Sequence, residues 1–166
     1  MGTTKPSLYS SRIDLSEELR TGVVTILSQT LVDTIDLKTQ VKQAHWNVKG
    51  MNFYQLHELF DAMASELEDY VDMVAERITA LGAIAYGTAR VAAGQSSLPE
   101  YPLDAVSGKA HVTALAERYG AYAKHVRDAI DQTDDLGDSD TADLYTEISR
   151  AIDKRLWFLD AHLEGE

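Results

Sequence analysis

Apolar residues recur every three or four positions in four long segments of the chain, as they do along one face of a helix. In chain order these segments span residues 14 to about 48, 52 to about 81, 112 to 130 and 145 to 163. No segment shows the sustained alternation with a period of two that marks a half-buried strand. The pattern therefore predicts an all-α protein with four long helices.

Polar residues and glycines at the segment ends predict where the helices begin and end. Asp14 followed by Glu17 resembles a capping box at the start of the first helix. Asn52 with Gln55 has the pattern of a cap for the second helix. Gly82 is placed as the glycine that follows the last turn of that helix.

The connections between the predicted helices differ in length. Residues 82–107 contain several glycines and two prolines and lose the helical period, which predicts a long crossover with one short helix inside it. An acidic turn at 134–140 joins the last two helices. Short, long and short connections make a four-helix bundle with one long crossover, the ferritin-like connectivity. We expect the bundle at 14–163, between a flexible N-terminal tail at 1–13 and a C-terminal tail at 164–166.

The composition is that of one globular domain. The chain has 166 residues, of which 45% are apolar and 25% charged. It has no cysteine, which excludes disulfides, thiolate metal sites and cysteine nucleophiles. Residues 1–12 are polar and lack the apolar stretch of a signal peptide, and no apolar run is long enough to cross a membrane. We therefore expect a cytoplasmic protein with no membrane partner.

The charge balance bears on which partners are expected. The formal net charge is −12, from 27 acidic and 15 basic residues. Modules that bind nucleic acid are usually basic, because contacts to phosphates supply most of their affinity. The balance argues against nucleic acid and favours cations, and a solvated acidic surface without further function is the alternative.

Four side chains on the second predicted helix are good metal ligands and share one stripe: His57, Asp61, Asp72 and Glu76. At the angular step of a helix they fall within about 100° of one another. The stripe adjoins the apolar face, so we expect it to be buried, where carboxylates need a cation as partner. Each pair, His57 with Asp61 and Asp72 with Glu76, has the i, i+4 spacing that lets two side chains meet.

The two pairs are too far apart for one ion to touch both on the same helix. Asp72 follows His57 by 15 residues, which is about 22 Å along a helix. A two-fold axis that crosses the helix midway would bring the first pair of one subunit opposite the second pair of the other. The spacing therefore predicts two equivalent metal sites between subunits.

The histidines exclude the usual diiron site inside the bundle. Such sites use Glu-x-x-His motifs, and none of the 5 histidines has a glutamate three residues before it. His45, at the end of the first helix, should lie close to His57 across the short turn. Two imidazoles and three carboxylates suit Fe²⁺, with Zn²⁺ and Mn²⁺ as competitors. Histidines that only pack or face solvent are the alternative.

The same residues carry a resemblance to a known family. The run Lys42 to Gly50, which reads KQAHWNVKG, closely resembles the Dps family (DNA-binding proteins from starved cells). The resemblance continues at these positions: Phe53, Leu56, His57, Asp61, Asp72, Glu76, Arg77, Asp153, Lys154, Leu156, Trp157, Phe158 and Leu159. It covers about residues 14–163 and is most specific in the first two helices.

The resemblance implies a ferroxidase and iron-storage protein of the stress response. It implies a hollow homododecamer that binds Fe²⁺ at its dimer interfaces, oxidises it with hydrogen peroxide as the preferred oxidant, and stores ferric oxide. It also implies that His45, His57 and Asp61 come from one subunit and that Asp72 and Glu76 come from its two-fold mate, with Glu76 as the bridging ligand.

Two further assignments follow from the resemblance. Trp46 is placed near the centre, where the family's aromatic residue intercepts stray oxidising equivalents; simple interface packing is the alternative. A ring of carboxylates from Asp138, Asp140, Asp143 and Glu147 would line three-fold pores that admit iron, because such a ring lowers the barrier for a divalent cation. The alternative is acidic charge that favours the start of a helix.

The chain departs from family members that condense DNA through lysine-rich tails. Its N-terminal segment carries only Lys5 and Arg12, and residues 164–166 read EGE. We therefore expect little DNA binding, unless metal ions bridge the surface to phosphate or a basic patch assembles. The residues available for such a patch are Lys38, Lys109, Lys124 and Arg127. A nucleoid-binding protein with a vestigial metal site and a purely structural bundle remain the alternatives.

Overall fold

The computed structural model describes residues 8–164, and five helices make up most of this part. The helices are α1 Glu17–Asn47, α2 Phe53–Ala80, α3 Ala89–Gln95, α4 Gly108–Leu136 and α5 Ser139–Leu163. The four long helices form a bundle, with α1 packed on α2 and α4 packed on α5, while α3 lies in the crossover against α1. The prediction of an all-α bundle with a short helix in its long crossover is confirmed.

Ser16, and not the predicted capping box of Asp14 and Glu17, starts α1. The Ser16 hydroxyl accepts a hydrogen bond from the Leu19 amide at 3.2 Å, and Glu17 is already the first helical residue. The capping-box prediction is wrong because a cap must stand directly before the first turn to reach the free amides there, and Asp14 lies too early.

Glycines in the left-handed region end α2 and α4. Gly82 follows α2 with a φ of 92°, as predicted, and Gly137 follows α4 with a φ of 94°. The turn between α4 and α5 is shorter than the predicted acidic turn at 134–140, because α4 extends to Leu136 and α5 begins at Ser139. Asn52 stands at the cap position of α2, but its side chain makes no capping bond.

A single apolar core runs through the bundle and determines how α2 is rotated about its own axis. The largest completely buried side chains come from all four long helices and the end of α2: Leu27, Leu31, Leu37, Leu56, Phe60, Met63, Leu67, Ile78, Leu81, Tyr119, Tyr122 and Tyr145. Burying one leucine or phenylalanine stabilises the fold by about 1.5–3 kcal/mol. The face of α2 that carries these residues therefore points inward, and its polar stripe does not.

Buried polar groups on α1 attach the crossover to the bundle. Asp33 is 0% exposed and accepts hydrogen bonds from the Ser97 amide at 2.7 Å and the Ser97 hydroxyl at 2.9 Å. Gln40 donates to the Pro99 carbonyl at 3.1 Å. These bonds satisfy the buried polar groups and hold the long connection in one path along α1.

The described part of the expected N-terminal tail is bonded to the bundle. The Tyr9 amide donates to the Gly82 carbonyl at 2.7 Å, and Arg20 donates to the carbonyls of Tyr9 at 3.4 Å and Leu81 at 2.8 Å. Tyr9 is therefore hydrogen-bonded to the end of α2, and the flexible tail expected at 1–13 stays a prediction. The remainder of the expected tails, at 1–7 and 165–166, lies outside the described residues. No helix within residues 8–164 is long and apolar enough to cross a membrane.

Candidate metal centre

The imidazoles of His45 and His57 form a reciprocal pair beside the turn between α1 and α2. The Nδ1 atom of each ring donates a hydrogen bond to the backbone carbonyl of the other residue, at 2.8 Å in both cases. The rings are stacked, with centroids 3.8 Å apart. Because a carbonyl only accepts, both Nδ1 atoms carry the hydrogen, which makes Nε2 the atom of each ring that can bind a metal. The predicted proximity of the two histidines is confirmed.

The local fold explains this pair. The carbonyl of His45 lies in the last turn of α1, where carbonyls have no amide partner within the helix. The side chain of His57, from the first turns of α2, supplies that partner. The connection at 48–52 is short enough to place the two helix ends side by side.

Asp61 lies one helical turn beyond His57 and near the same pair. Its Oδ1 atom is 3.8 Å from the Nε2 atom of His45 and 2.8 Å from the Nζ atom of Lys42. The hydrogen bond from Lys42, together with its charge, lowers the pKa of the Asp61 carboxyl below the ordinary 3.8. The protein's own ammonium group thus lies beside a carboxylate that a metal ion at His45 would share.

Asp72 and Glu76 form a separate pair on α2. Within residues 8–164, no side chain donates a hydrogen bond to either carboxylate. In the same part of the chain, no three histidine, aspartate or glutamate side chains converge closely enough to hold a metal ion. The structure therefore stacks His45 on His57 and places Asp61 near His45 without forming a three-ligand cluster, and Asp72 and Glu76 lie apart, about 22 Å along the helix.

The carboxylates of the stripe are exposed, and the expectation that they are buried is wrong for the single chain. Asp61 keeps 59% of its side-chain exposure, and Asp72 and Glu76 are exposed as well. The reason is that the apolar positions of α2 fill the bundle core, so the neighbouring polar stripe lies beyond the core's edge. The stripe is thus available to a second molecule.

Several large apolar side chains close to the histidines in the chain are exposed at the surface. Trp46 and Tyr54 are each 67% exposed, Met51 is 98% exposed and Phe53 is 45% exposed. The Phe53 ring lies 5.2 Å from the His57 ring, centroid to centroid. Grouped apolar exposure of this kind is typical of surfaces that contact other proteins.

The predicted pore residues separate into two kinds. Asp138 is only 2% exposed, and Arg77 binds both of its carboxylate oxygens, at 2.7 and 2.9 Å. Thr141 donates to it from both its amide and its hydroxyl, so Asp138 caps α5. Within the single chain its carboxylate is bound by Arg77 and Thr141, and its place in a pore stays a prediction. The other members of the predicted set are exposed: Asp140, Asp143 and Glu147.

Lys42 and Arg77 make contacts at these sites that the sequence did not predict. A signal for Lys42 existed, since a residue three positions before His45 shares its helix face. No comparable signal linked Arg77 to Asp138, because the two lie 61 residues apart in the chain.

Comparison with known proteins relates the chain to a family. The family described as ferritin-like domain matches residues 24–165. The "DNA protection during starvation protein" of Agrobacterium fabrum is 41% identical over 156 residues, which are 94% of this chain and 96% of that protein. The protein of the same name from Mycolicibacterium smegmatis is 33% identical over 151 residues, or 91% and 82% of the two chains.

Solved structures agree with these relationships. DpsC from Streptomyces coelicolor superposes with a TM-score of 0.91 at 30% identity, covering 96% of this chain and 94% of that one. Dps from Mycobacterium smegmatis superposes with a TM-score of 0.91 at 31% identity, covering 96% of each chain.

Proposed function

Because the chain belongs to the Dps family of ferritin-like proteins, we propose that it is an iron-oxidising and iron-storing protein. Ferrous iron is its substrate, and hydrogen peroxide is the preferred oxidant. The observation that carries this proposal is the His45–His57 pair, whose reciprocal bonds leave both Nε2 atoms available, with that of His45 3.8 Å from the Asp61 carboxylate.

The complete centre is shared between two copies of the chain. His45, His57 and Asp61 are supplied by one copy, and Asp72 and Glu76 by its two-fold mate, with Glu76 bridging. Two observations support this division: Asp72 and Glu76 lie far along α2 from His57 and Asp61, and all three carboxylates are exposed. The exposed apolar side chains beside the histidines supply a surface for the contact. Six such dimers make the proposed hollow homododecamer, which stores the ferric oxide.

The proposed reaction takes one electron from each of two ferrous ions. Together they reduce one hydrogen peroxide to two hydroxide ions, so no hydroxyl radical is released. The three carboxylates favour the ferric product by their charge, and the imidazoles, oriented by the carbonyls, hold the geometry. Zn²⁺ and Mn²⁺ suit the same donors and should compete with Fe²⁺.

Iron would reach the interior past the exposed carboxylates of Asp140, Asp143 and Glu147. Trp46 is proposed to intercept stray oxidising equivalents, which is supported by its exposure and its position directly after His45 in the chain. We assign the protein to the cytoplasm. The nucleoid-binding alternative has less support, because the net charge of −12 opposes contact with phosphates.

The experiment is ferrous oxidation by the purified full-length protein. Fe²⁺ is added without oxygen, then hydrogen peroxide, and the near-ultraviolet absorbance of the ferric product is followed. Asp61→Asn and Glu76→Gln should each slow the initial rate about 10–100-fold. Asp131→Asn, an exposed carboxylate on α4, is the matched control and should keep the rate. Equal initial rates in all four proteins would contradict the proposal.

A further inference from the structure

Three tyrosines in the bundle core are completely buried but differ in what accepts their phenolic hydrogen. Tyr119, Tyr122 and Tyr145 are each 0% exposed. Among the described residues, the Tyr119 hydroxyl has no hydrogen-bond partner. The Tyr122 hydroxyl lies 2.6 Å from Thr34 Oγ1, and the Tyr145 hydroxyl lies 2.7 Å from Thr30 Oγ1. The two threonines are one turn apart on α1.

Thr34 cannot relay the phenolic proton of Tyr122 to a base outside the core. Its hydroxyl donates to the Thr30 carbonyl at 2.6 Å, so its only hydrogen is already engaged. Tyr122 must therefore donate to Thr34, and the chain of hydrogen bonds ends at a backbone carbonyl, which is not a base.

Thr30 connects Tyr145 to a base. The Thr30 Oγ1 atom lies 3.0 Å from the Nε2 atom of His125. His125 is on α4, and its side chain is half-buried. When that nitrogen carries its lone pair, hydrogen bonds run from Tyr145 to Thr30 and from Thr30 to His125. The competing contact of the Thr30 hydroxyl with the Ile26 carbonyl is longer, at 3.2 Å. A proton from Tyr145 can thus reach the edge of the bundle through one hydroxyl.

Because Tyr145 is buried, its one-electron oxidation depends on a base that can take the phenolic proton. Burial raises the pKa of Tyr145 well above the ordinary 10.0, so the phenol holds its proton. Removing an electron from it would leave a buried cation, which is costly unless the proton departs at the same time. A base reached through one hydroxyl removes that cost, and among the three tyrosines only Tyr145 has one.

We propose that Tyr145 is a redox-active residue that takes up one-electron oxidising equivalents, with Thr30 and His125 as its proton relay. The proposal rests on the proposed function, which supplies the reactants: a lone ferrous ion and peroxide yield ferric ion, hydroxide and hydroxyl radical. The hydroxyl radical takes an electron from Tyr145 through the bundle and becomes hydroxide, while the phenolic proton moves to His125. A further ferrous ion then reduces the tyrosyl radical, and the proton moves back from His125 to Tyr145. The net reaction converts one hydroxyl radical and one ferrous ion into hydroxide and ferric ion.

The test is electron paramagnetic resonance on full-length protein frozen shortly after Fe²⁺ and excess peroxide are mixed. Ring-deuterated tyrosine identifies tyrosyl signals, because it narrows them and leaves tryptophan signals unchanged. Tyr145→Phe should abolish the tyrosyl signal, and the matched variant Tyr122→Phe should retain it. Thr30→Val and His125→Gln should each slow its formation about 100-fold, since both break the path to the base. A signal that is lost with Tyr122 and kept without Tyr145 would overturn the proposal.

A second arm removes iron from the experiment. Azide radicals, generated by pulse radiolysis in iron-free protein, supply the one-electron oxidant directly. A tyrosyl radical that depends on Tyr145 in this arm, together with ferrous oxidation rates that Asp61→Asn and Glu76→Gln leave unchanged, supports the relay and contradicts the proposed function. Ferrous oxidation that both variants slow, with no Tyr145-dependent radical in either arm, contradicts the relay alone. Melting curves of all variants show that each is folded before the spectra are compared.

Discussion

His45 and His57 each donate the Nδ1 hydrogen to the carbonyl of the other, at 2.8 Å in both directions. In each ring the Nδ1 hydrogen bond therefore holds the two helix ends together, and the Nε2 atom is left to bind a metal. Substitutions that keep one nitrogen position and remove the other can separate the two roles.

We expect the variant His57→Asn to keep the fold and to oxidise ferrous iron more slowly. The asparagine amide can replace the Nδ1 donor to the His45 carbonyl, but nothing replaces Nε2. The melting temperature should stay close to that of the wild type, while initial ferrous oxidation slows about 10–100-fold. His162→Asn is the matched control, because His162 Nδ1 also bonds a carbonyl, that of Phe158 at 2.6 Å, on an exposed part of α5. An unimpaired rate in His57→Asn would remove His57 from the site.

Lys42→Met should strengthen Fe²⁺ binding. Lys42 holds a positive charge 2.8 Å from Asp61 Oδ1, and a ferrous ion must compete with it. Methionine keeps the apolar stem without the charge. The gain should be about two- to fivefold in dissociation constant, the range of an exposed ion pair, by anaerobic titration calorimetry. Lys124→Met, which removes the exposed Lys124–Asp128 pair, should change nothing. Weaker binding in Lys42→Met would instead mean that Lys42 orients Asp61 for the metal.

Asp138→Asn should lower stability at neutral pH and matter less in acid. Burial alone would raise the pKa of the Asp138 carboxyl, but hydrogen bonds from Thr141 and Arg77 outweigh burial and lower it from 3.8. A carboxyl whose pKa is lowered by folding stabilises the protein above its unfolded pKa, and the contribution is lost as the pH falls through the folded value. Leaving Arg77 without its partner costs about 3 kcal/mol, or about 6–12 °C in melting temperature at pH 7.

The pH dependence separates this effect from simple loss of a cap. The difference between wild type and Asp138→Asn should shrink as the pH is lowered below 3.8. Asp140→Asn, at the same end of α5 but exposed, should melt like the wild type at every pH. A gap that stays constant into acid would show that the charge of Asp138 is not what stabilises α5.

Mixed shells should reveal whether the centre is shared. A His57→Ala subunit and a Glu76→Ala subunit spoil different halves of the proposed site, so some interfaces in a mixed shell hold a full set of wild-type ligands. Co-assembled protein should oxidise ferrous iron faster than either variant alone, and shells mixed from two His57→Ala preparations should not. Sedimentation must first show assembly, and a stable monomer at micromolar concentration would refute the shared site.

The metal-free protein should not retard plasmid DNA at physiological salt. The net charge is −12, and three cations of the conceivable basic patch already have carboxylate partners in the chain. These pairs are Lys38 with Glu68, Lys124 with Asp128 and Arg127 with Asp153. Any low-salt shift should vanish as salt rises, since few phosphates are neutralised. A shift that persists at physiological salt would favour the nucleoid-binding alternative, and one that needs Mg²⁺ would indicate metal bridging.

The local sequence pattern was sufficient to predict the long helices and the contact between His45 and His57. The spacing of apolar residues predicted α1, α2, α4 and α5, because a helix buries one face and its period is visible in the sequence. Gly82 ended α2 as predicted, since few other residues adopt its left-handed conformation. His45 lies against His57 because a short turn leaves two helix ends little choice of position.

Tertiary structure decided everything that depends on how the helices are rotated and which distant residues they bring together. The stripe on α2 is exposed because the neighbouring apolar face of the helix packs in the core. The helical period alone does not show whether the polar stripe beside that face is buried. Asp138 is bound by Arg77 from 61 residues away, and Thr30 meets His125 and Tyr145 across 95 and 115 residues. Contacts of this kind require side chains from different helices to arrive within about 3 Å of each other, and only packing of the whole core positions them so closely.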